Sequence, residues 1–178
     1  MLTVNFLPFP ELETERLLLR RVHEGDVEQI FEMRSNPETM RYIPRPLITH
    51  RDEALEHIGM INDKIDKAEG INWAITRKGD PLLLGIIGHY RIKPEHYRAE
   101  IGYMLHPDHH GQGIVTEAIK AVVAYGFDQM NLNSIEAILD PGNGASAAVL
   151  AKNSTIFSLT VAAWSILRKC PALRTKTV

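Results

Sequence analysis

The chain has 178 residues, 44% hydrophobic and 24% charged, which suits one compact domain with one sizeable core and argues against two. Its formal net charge of −2 provides no global field for nucleic acid or an anionic membrane, so neither is an expected partner. No apolar run reaches the length of a signal-peptide core or a membrane span, which predicts a cytoplasmic protein, and the single cysteine, Cys170, excludes an internal disulfide and a cysteine metal site.

Glu15–Arg21 is apolar at its centre and closed by charge, which predicts a first strand. Asp26 is placed to cap a helix in which Val27, Ile30, Phe31 and Met33 recur at helical spacing, with Pro37 just beyond its end. A second helix is expected over about Thr49–Lys67, where Ala54, Leu55, Ile58, Ile61 and Ile65 share one stripe. Strands Ile71–Arg77 and Leu82–Tyr90, joined by the turn Lys78-Gly79-Asp80-Pro81, form a hairpin in which Gly85 and Gly88 predict weakened, bulged positions. Arg98–Leu105 alternates, with Ala99, Ile101, Tyr103 and Leu105 on one face and Arg98, Glu100, Gly102 and Met104 on the other. Val115, Ala118, Ile119, Val122 and Phe127 then define a helix from Ile114 to about Met130, followed by a buried strand, Ile135–Leu139. The order β, αα, βββ, α, β predicts an α/β or α+β sandwich containing one strand–loop–helix–strand unit. Trp73 and Trp164 are expected in the core.

The strand ending at Leu105 runs into His106-Pro107-Asp108-His109-His110-Gly111-Gln112-Gly113 and then the helix Ile114-Val115-Thr116-Glu117-Ala118. Gly111 and Gly113 let backbone N–H groups close on an anion, and the helix start adds unpaired donors and a positive dipole end. The loop therefore predicts a phosphorylated ligand. It is neither a dinucleotide fingerprint, since Thr116 replaces the third glycine, nor a Walker loop, which needs Gly-Lys-Ser/Thr. His106, His109 and His110 are read as loop residues whose partial protonation favours the anion, and no metal is expected, because no further ligand stands at a suitable spacing.

Several ordered blocks carry a family resemblance. Leu12-x-Thr14-x-Arg16-Leu17-x-Leu19-Arg20, Ala99-Glu100-Ile101-Gly102-Tyr103, Pro107-x-x-His110-Gly111-Gln112-Gly113-x-x-Thr116-Glu117-Ala118 and Asn143-x-x-Ser146-x-x-x-Leu150-x-Lys152-Asn153 resemble the GNAT acetyltransferases of the RimJ and RimL type, over residues 11–153. The resemblance implies a single GNAT-like domain with a mixed, mostly antiparallel sheet flanked by helices. It also implies acetyl-CoA as cosubstrate and an amine acceptor, a protein N-terminus or a small molecule. In that reading the backbone of His110, Gly111, Gln112, Gly113, Ile114 and Val115, with Thr116 Oγ, holds the pyrophosphate. The pantetheine arm would run along Met104, Leu105 and His106, with the thioester carbonyl at the Met104 or Leu105 N–H, and Asn143 would bond the pantetheine amides. Glu100 is the implied base and Ser146 the implied proton donor to the leaving thiolate; Asn143 as a turn residue and Ser146 as a helix N-cap are the alternative structural roles. A homodimer is left open.

Two stretches depart from the family. Asp108 stands where Gln or Arg is frequent, which removes one side-chain phosphate donor. After Asn153 the family continues Gly-Phe and a strand pair, whereas this chain reads Ser154-Thr155-Ile156-Phe157 and an unrelated tail, by divergence or a late frame change. Thr155–Leu167 fits a strand and a helical stripe equally. The atypical tail supports an alternative function, a catalytically impaired acyl-CoA-binding module. The acidic residues Glu53, Glu56, Asp63, Asp66 and Glu69 suit either a cationic acceptor or a solvated helix face.

Overall fold

The structure, a computed structural model, describes Leu2, residues 4–153 and the backbone of Trp164–Arg168. Strands β1 (Leu12–Glu13) and β2 (Leu17–Arg21) precede three helices, α1 (Val27–Ser35), α2 (Pro37–Met40) and α3 (Arg51–Asp66). Strands β3 (Ile71–Arg77), β4 (Asp80–Lys93) and β5 (Arg98–Leu105) follow, then α4 (Ile114–Asp128), β6 (Ser134–Ile138), α5 (Gly144–Lys152) and β7 (Trp164–Arg168). The seven strands form one sheet in sequential order, every neighbour antiparallel except β5 and β6. That parallel pair needs a crossover, and α4 supplies it.

Residues 71–76 of β3 and 83–89 of β4 are buried without alternation, so both sides of the central sheet are covered. On one side Trp73, fully buried, meets His89 and Tyr125 of α4 edge-on, and the His89 Nε2 lies 2.9 Å from the Val122 carbonyl. Helices α1 and α3 pack on each other and on β4 and β3 through Ile30, Met33, Ala54, Ile58, Ile61 and Ile65.

The structure corrects several expectations. Asp26 precedes α1 but does not cap it: its carboxylate accepts both Arg20 Nη groups (2.6 and 2.9 Å) and the His23 N–H, serving the short helical turn Glu24–Asp26 instead. Leu55 leaves the apolar stripe and is 39% exposed. One register shift falls between Ile75 and Arg77 of β3 and is bordered on β4 by Gly85, the partner of Ile75; the other falls between Tyr90 and Lys93, and Gly88 sits in regular pairing. Those glycines are close-approach sites, where a Cβ would run into the Met104 and Ile71 carbonyls of the neighbouring strands. Of the tail, Trp164–Arg168 forms β7 antiparallel to β6; residues 154–163 and 169–178, with Cys170, and the side chain of Trp164 lie outside the described residues. Among the described residues, no helix is long and apolar enough to cross a membrane.

Candidate active site

Strand β5 pairs with β4 along its whole length but with β6 only over Arg98–Ile101, so among the described residues Gly102–Leu105 has no partner strand on the β6 side. The direction of each backbone group follows from alternation. His106 donates its N–H to the Leu84 carbonyl of β4 (2.8 Å), so the Met104 amide, two residues earlier, also faces β4 and the Leu105 amide faces the opening. The Leu105 carbonyl on that side meets the His110 ring at 3.1 Å.

The glycine loop closes this open edge. Pro107–His109 forms one helical turn with His106 as its N-cap, and Gly111 and Gly113 take φ of +73° and +74°, the left-handed region that glycine enters at little cost. α4 starts at Ile114, and its first intrahelical bond runs from the Glu117 N–H to the Gly113 carbonyl (3.0 Å). The amides of Ile114, Val115 and Thr116 therefore stand ahead of the hydrogen-bonded ladder. The side chains of Ile114 and Val115 are core, so only their backbone can serve a ligand, whereas Gly111, Gln112 and Gly113 are exposed.

The loop is clamped by residues distant in sequence. Glu117 accepts Thr14 Oγ1 (2.5 Å), the Arg16 N–H (2.9 Å) and Arg16 Nε (2.7 Å). Arg16 Nη1 donates to the Gln112 carbonyl (3.2 Å), Arg77 Nη2 to Gln112 Oε1 (2.7 Å), and Gln112 Nε2 to the Asp108 carbonyl (3.1 Å). Burial pushes the Glu117 carboxyl upward, but the hydrogen bonds from Thr14 and Arg16 outweigh it and hold its pKa below the ordinary value. Thr14, Arg16 and Glu117 belong to the sequence blocks above, yet nothing in one sequence links them. His109 does not behave as the sequence suggested. Burial first, then the His106 ring and Arg77, lowers its pKa and favours the neutral imidazole, so it adds little positive charge.

Glu100 lies on β5 opposite Tyr90 of β4, on the face it shares with Gly102 and Met104, and Gly102 sits beneath the Tyr90 ring. Its Oε2 is 2.7 Å from Nη1 of Arg91, which has φ +45° beside the β4 register shift, a pairing the sequence pattern gave no sign of. Burial, with help from Glu100, pushes the Tyr90 hydroxyl well above the ordinary range, so it is a neutral donor at neutral pH. Across the opening, Asn143 caps α5 by accepting the Ser146 N–H on Oδ1 (3.0 Å), so the N-cap is Asn143 and not Ser146. The Tyr103 hydroxyl reaches the Ser146 carbonyl at 3.5 Å, which ties β5 to α5. The Ser146 hydroxyl and Thr116 Oγ1 have no hydrogen bond among the described residues. Those residues also contain no cluster of three or more His, Cys, Asp or Glu side chains arranged to hold a metal ion.

The family profile described as "Acetyltransferase (GNAT) domain" matches residues 16–154. The chain is 38% identical over 144 residues to the Bacillus subtilis (strain 168) "Uncharacterized N-acetyltransferase YoaA", covering 81% of each. Among solved structures, a GNAT-family acetyltransferase from Bacillus anthracis superposes with a TM-score of 0.70 at 27% identity, over 89% of this chain and 95% of that one. RimL, a ribosomal L7/L12 alpha-N-protein acetyltransferase solved in complex with coenzyme A, superposes with a TM-score of 0.75 at 20% identity, over 85% and 86% of the two chains. A sheet parted beside a glycine loop, a profile match over most of the length and close relatives named N-acetyltransferases agree: the chain belongs to the GNAT family of acetyltransferases.

Proposed function

We propose that the chain, as a single cytoplasmic domain of the RimJ/RimL type, transfers an acetyl group from acetyl-CoA to a primary amine by direct attack. The acceptor is a protein N-terminus, as the name of the RimL neighbour suggests, or a small amine. One juxtaposition carries the reading: a strand edge, Gly102–Leu105, that pairs with no residue of β6 ends in a glycine loop and a helix start whose Ile114, Val115 and Thr116 amides stand ahead of the helical ladder, with Glu100 before it and Ser146 across the gap.

Bound acetyl-CoA supplies an acetyl group activated as a thioester. The residues present fit it. The backbone amides from Gly111 to Val115, with Thr116 Oγ1, receive the pyrophosphate, the expected His110 amide being spent on the Pro107 carbonyl (3.0 Å), and Arg16 beside Gly113 adds a cation at the loop. His106 and Asn143 Nδ2 line the pantetheine path. Leu105, rather than Met104, turns its amide to the opening and donates to the carbonyl oxygen as charge develops there, a contribution of about 3 kcal/mol. The amine nitrogen bonds the acetyl carbon as the C–S bond breaks. Glu100 takes the ammonium proton before attack, directly or through water, when the exposed Arg91 side chain turns aside; as the amide forms, Ser146 Oγ gives its proton to the thiolate and is reprotonated by the second proton leaving the nitrogen.

Purified protein with acetyl-CoA and a panel of amines is expected to release free thiol. Glu100→Gln should lower kcat by about a hundredfold, the lower range for loss of a positioned base, and leave acetyl-CoA affinity intact. An unchanged kcat removes Glu100 from the mechanism. Calorimetric binding of acetyl-CoA without thiol release from any amine would instead assign the acyl-CoA-binding module.

A further inference from the structure

One half-buried cation, with a buried and unpartnered nitrogen, has no place in that chemistry. Arg34, in the last turn of α1, has its Nε buried with no hydrogen-bond partner, and among the described residues its guanidinium makes no hydrogen bond or ion pair. A buried donor without a partner is costly, so a native fold that keeps one calls for a ligand or a water to satisfy it.

Its surroundings are positive on balance. Burial lowers the Arg34 pKa first, then Arg45 of the loop before α3; Glu53 and Tyr90 act the other way. Glu53 is committed elsewhere, since its Oε1 accepts the Thr49 N–H (2.8 Å), Thr49 Oγ1 (3.0 Å) and the His50 N–H (2.9 Å). His57 of α3 is pushed down to about 4 by burial, then by Arg34, Lys64 and Arg45, which makes it a neutral ring and a hydrogen-bond donor at pH 7.

The cluster also adjoins the reacting centre. The Arg34 carbonyl accepts the Ile48 N–H (3.3 Å), which ties the loop of residues 41–50 to the end of α1. Tyr90 lies opposite Glu100 in the sheet and is within electrostatic reach of both Glu100 and Arg34. Tyr90 thus faces the candidate base in the sheet and couples electrostatically to Arg34 of the helix α1 that packs on β4.

Resting on the acyl-transfer reading above, we propose that Arg34, supported by Arg45 and His57, holds an anionic group of the acceptor, so that the substrate is an amine bearing a carboxylate. A planar carboxylate matches the guanidinium fork with two parallel hydrogen bonds. The acids that would draw a polyamine are spent or solvated: Asp63 pairs with Lys67 and Asp66 with Arg21, each at 2.7 Å, and Glu56 is exposed.

The test compares acceptors that differ only in this group: amino acids against their amides, peptides with an acidic against an amide second residue, and spermidine as the cationic control. The wild type is expected to prefer the carboxylate member of a pair by about tenfold or more in kcat/KM, since a site built around a polar group rejects the analogue that lacks it. Arg34→Gln should abolish most of that preference while the KM for acetyl-CoA stays unchanged. If Arg34→Gln fails to fold, Arg45→Gln on the exposed loop should reduce the preference in the same direction. Amino acid and peptide pairs distinguish a free carboxylate from an acidic side chain near a chain terminus. Equal use of the amides, better use of spermidine, or a preference that neither variant moves overturns the proposal. Product binding reads the anion site without turnover: N-acetyl amino acids titrated into wild type and Arg34→Gln should bind more tightly than their amides to the wild type alone. That readout separates failure of this site from failure of the transfer reading, and an absence of carboxylate preference in binding also overturns the proposal.

Discussion

Glu117 carries a negative charge in the first turn of the helix proposed to receive the pyrophosphate, a placement that would repel such a ligand if the charge stood alone. It does not stand alone, because Thr14 and Arg16 supply three donors to it and Arg16 also holds the Gln112 carbonyl. Two consequences of substitution can therefore be separated. Arg16→Gln removes both a cation beside Gly113 and the brace on the loop, so the effects add; the KM for acetyl-CoA should rise about tenfold, the equivalent of one charge-assisted hydrogen bond, with a smaller change in kcat. Glu117→Gln frees the Arg16 cation while loosening the brace, so the effects oppose and KM should move less. Initial rates against acetyl-CoA concentration check both, and an unmoved KM in Arg16→Gln would detach the clamp from the coenzyme site. The members of this clamp were visible in the sequence as motif residues, but not as partners, since 101 positions separate Arg16 from Glu117 and no periodicity spans that distance. The Glu100–Arg91 pair was hidden for a different reason: Arg91 follows Tyr90 at a register shift with positive φ, which simple alternation does not foresee.

At the scale of elements, period 2 and period 3.6 located β2, β5, α1, α3 and α4 because each buries one consistent face or stripe, whereas β3, buried on both faces, was legible from strand-forming residues closed by a turn. The two-residue β1 and four-residue α2 are too short to display a period, and the alanine-rich α5 buries only Leu150 among the residues of its helix. Glycine was the least legible residue, because one residue type answers to several constraints. Gly85 and Gly88 suggested bulges but permit close strand approach, and two helical glycines now predict opposite outcomes. A Cβ at Gly126 of α4 would lie 2.8 Å from Ile135 Cδ1 and 2.9 Å from His89 Nε2. The His89 ring cannot easily yield, being held to the Val122 carbonyl and packed edge-on to Trp73. Overpacking of about 1–3 kcal/mol should thus exceed the gain of up to about 1 kcal/mol in helix propensity, and Gly126→Ala should lower the urea midpoint. Gly59 of α3 has nothing within 4 Å of its Cβ position, so Gly59→Ala should stabilise by about 0.5–1 kcal/mol. Equal midpoints for the two variants would remove the packing argument.

For the molecule as a whole, stability is expected to fall in acid partly through a buried histidine where the sheet meets α4. His89 is fully buried, its Nε2 faces the Val122 carbonyl and its Nδ1 has no partner, so a second proton would place both a charge and an unpaired donor in the core. Burial lowers its pKa to about 4, against a partial opposing effect of the Val122 hydrogen bond. In the unfolded chain the ring titrates near 6.5, so between about pH 6.5 and 4 the unfolded state binds the extra proton and the native state excludes it. The contribution is therefore fully present above about pH 6.5 and is lost as the pH falls towards 4, by up to about 3 kcal/mol for a gap of that size. His57, lowered to about 4 by burial and then by its cationic neighbours, shifts in the same direction, with a smaller share because it is only half-buried. Urea unfolding across this range should give a midpoint that is flat from about pH 8 to 7 and then falls. His89→Gln keeps an amide donor for the Val122 carbonyl but cannot titrate, so its stability should depend less steeply on pH through that window, whatever its stability at pH 8. An unchanged slope would place the acid sensitivity elsewhere. A shallower one would assign that share of the acid sensitivity to His89, where the sheet meets α4.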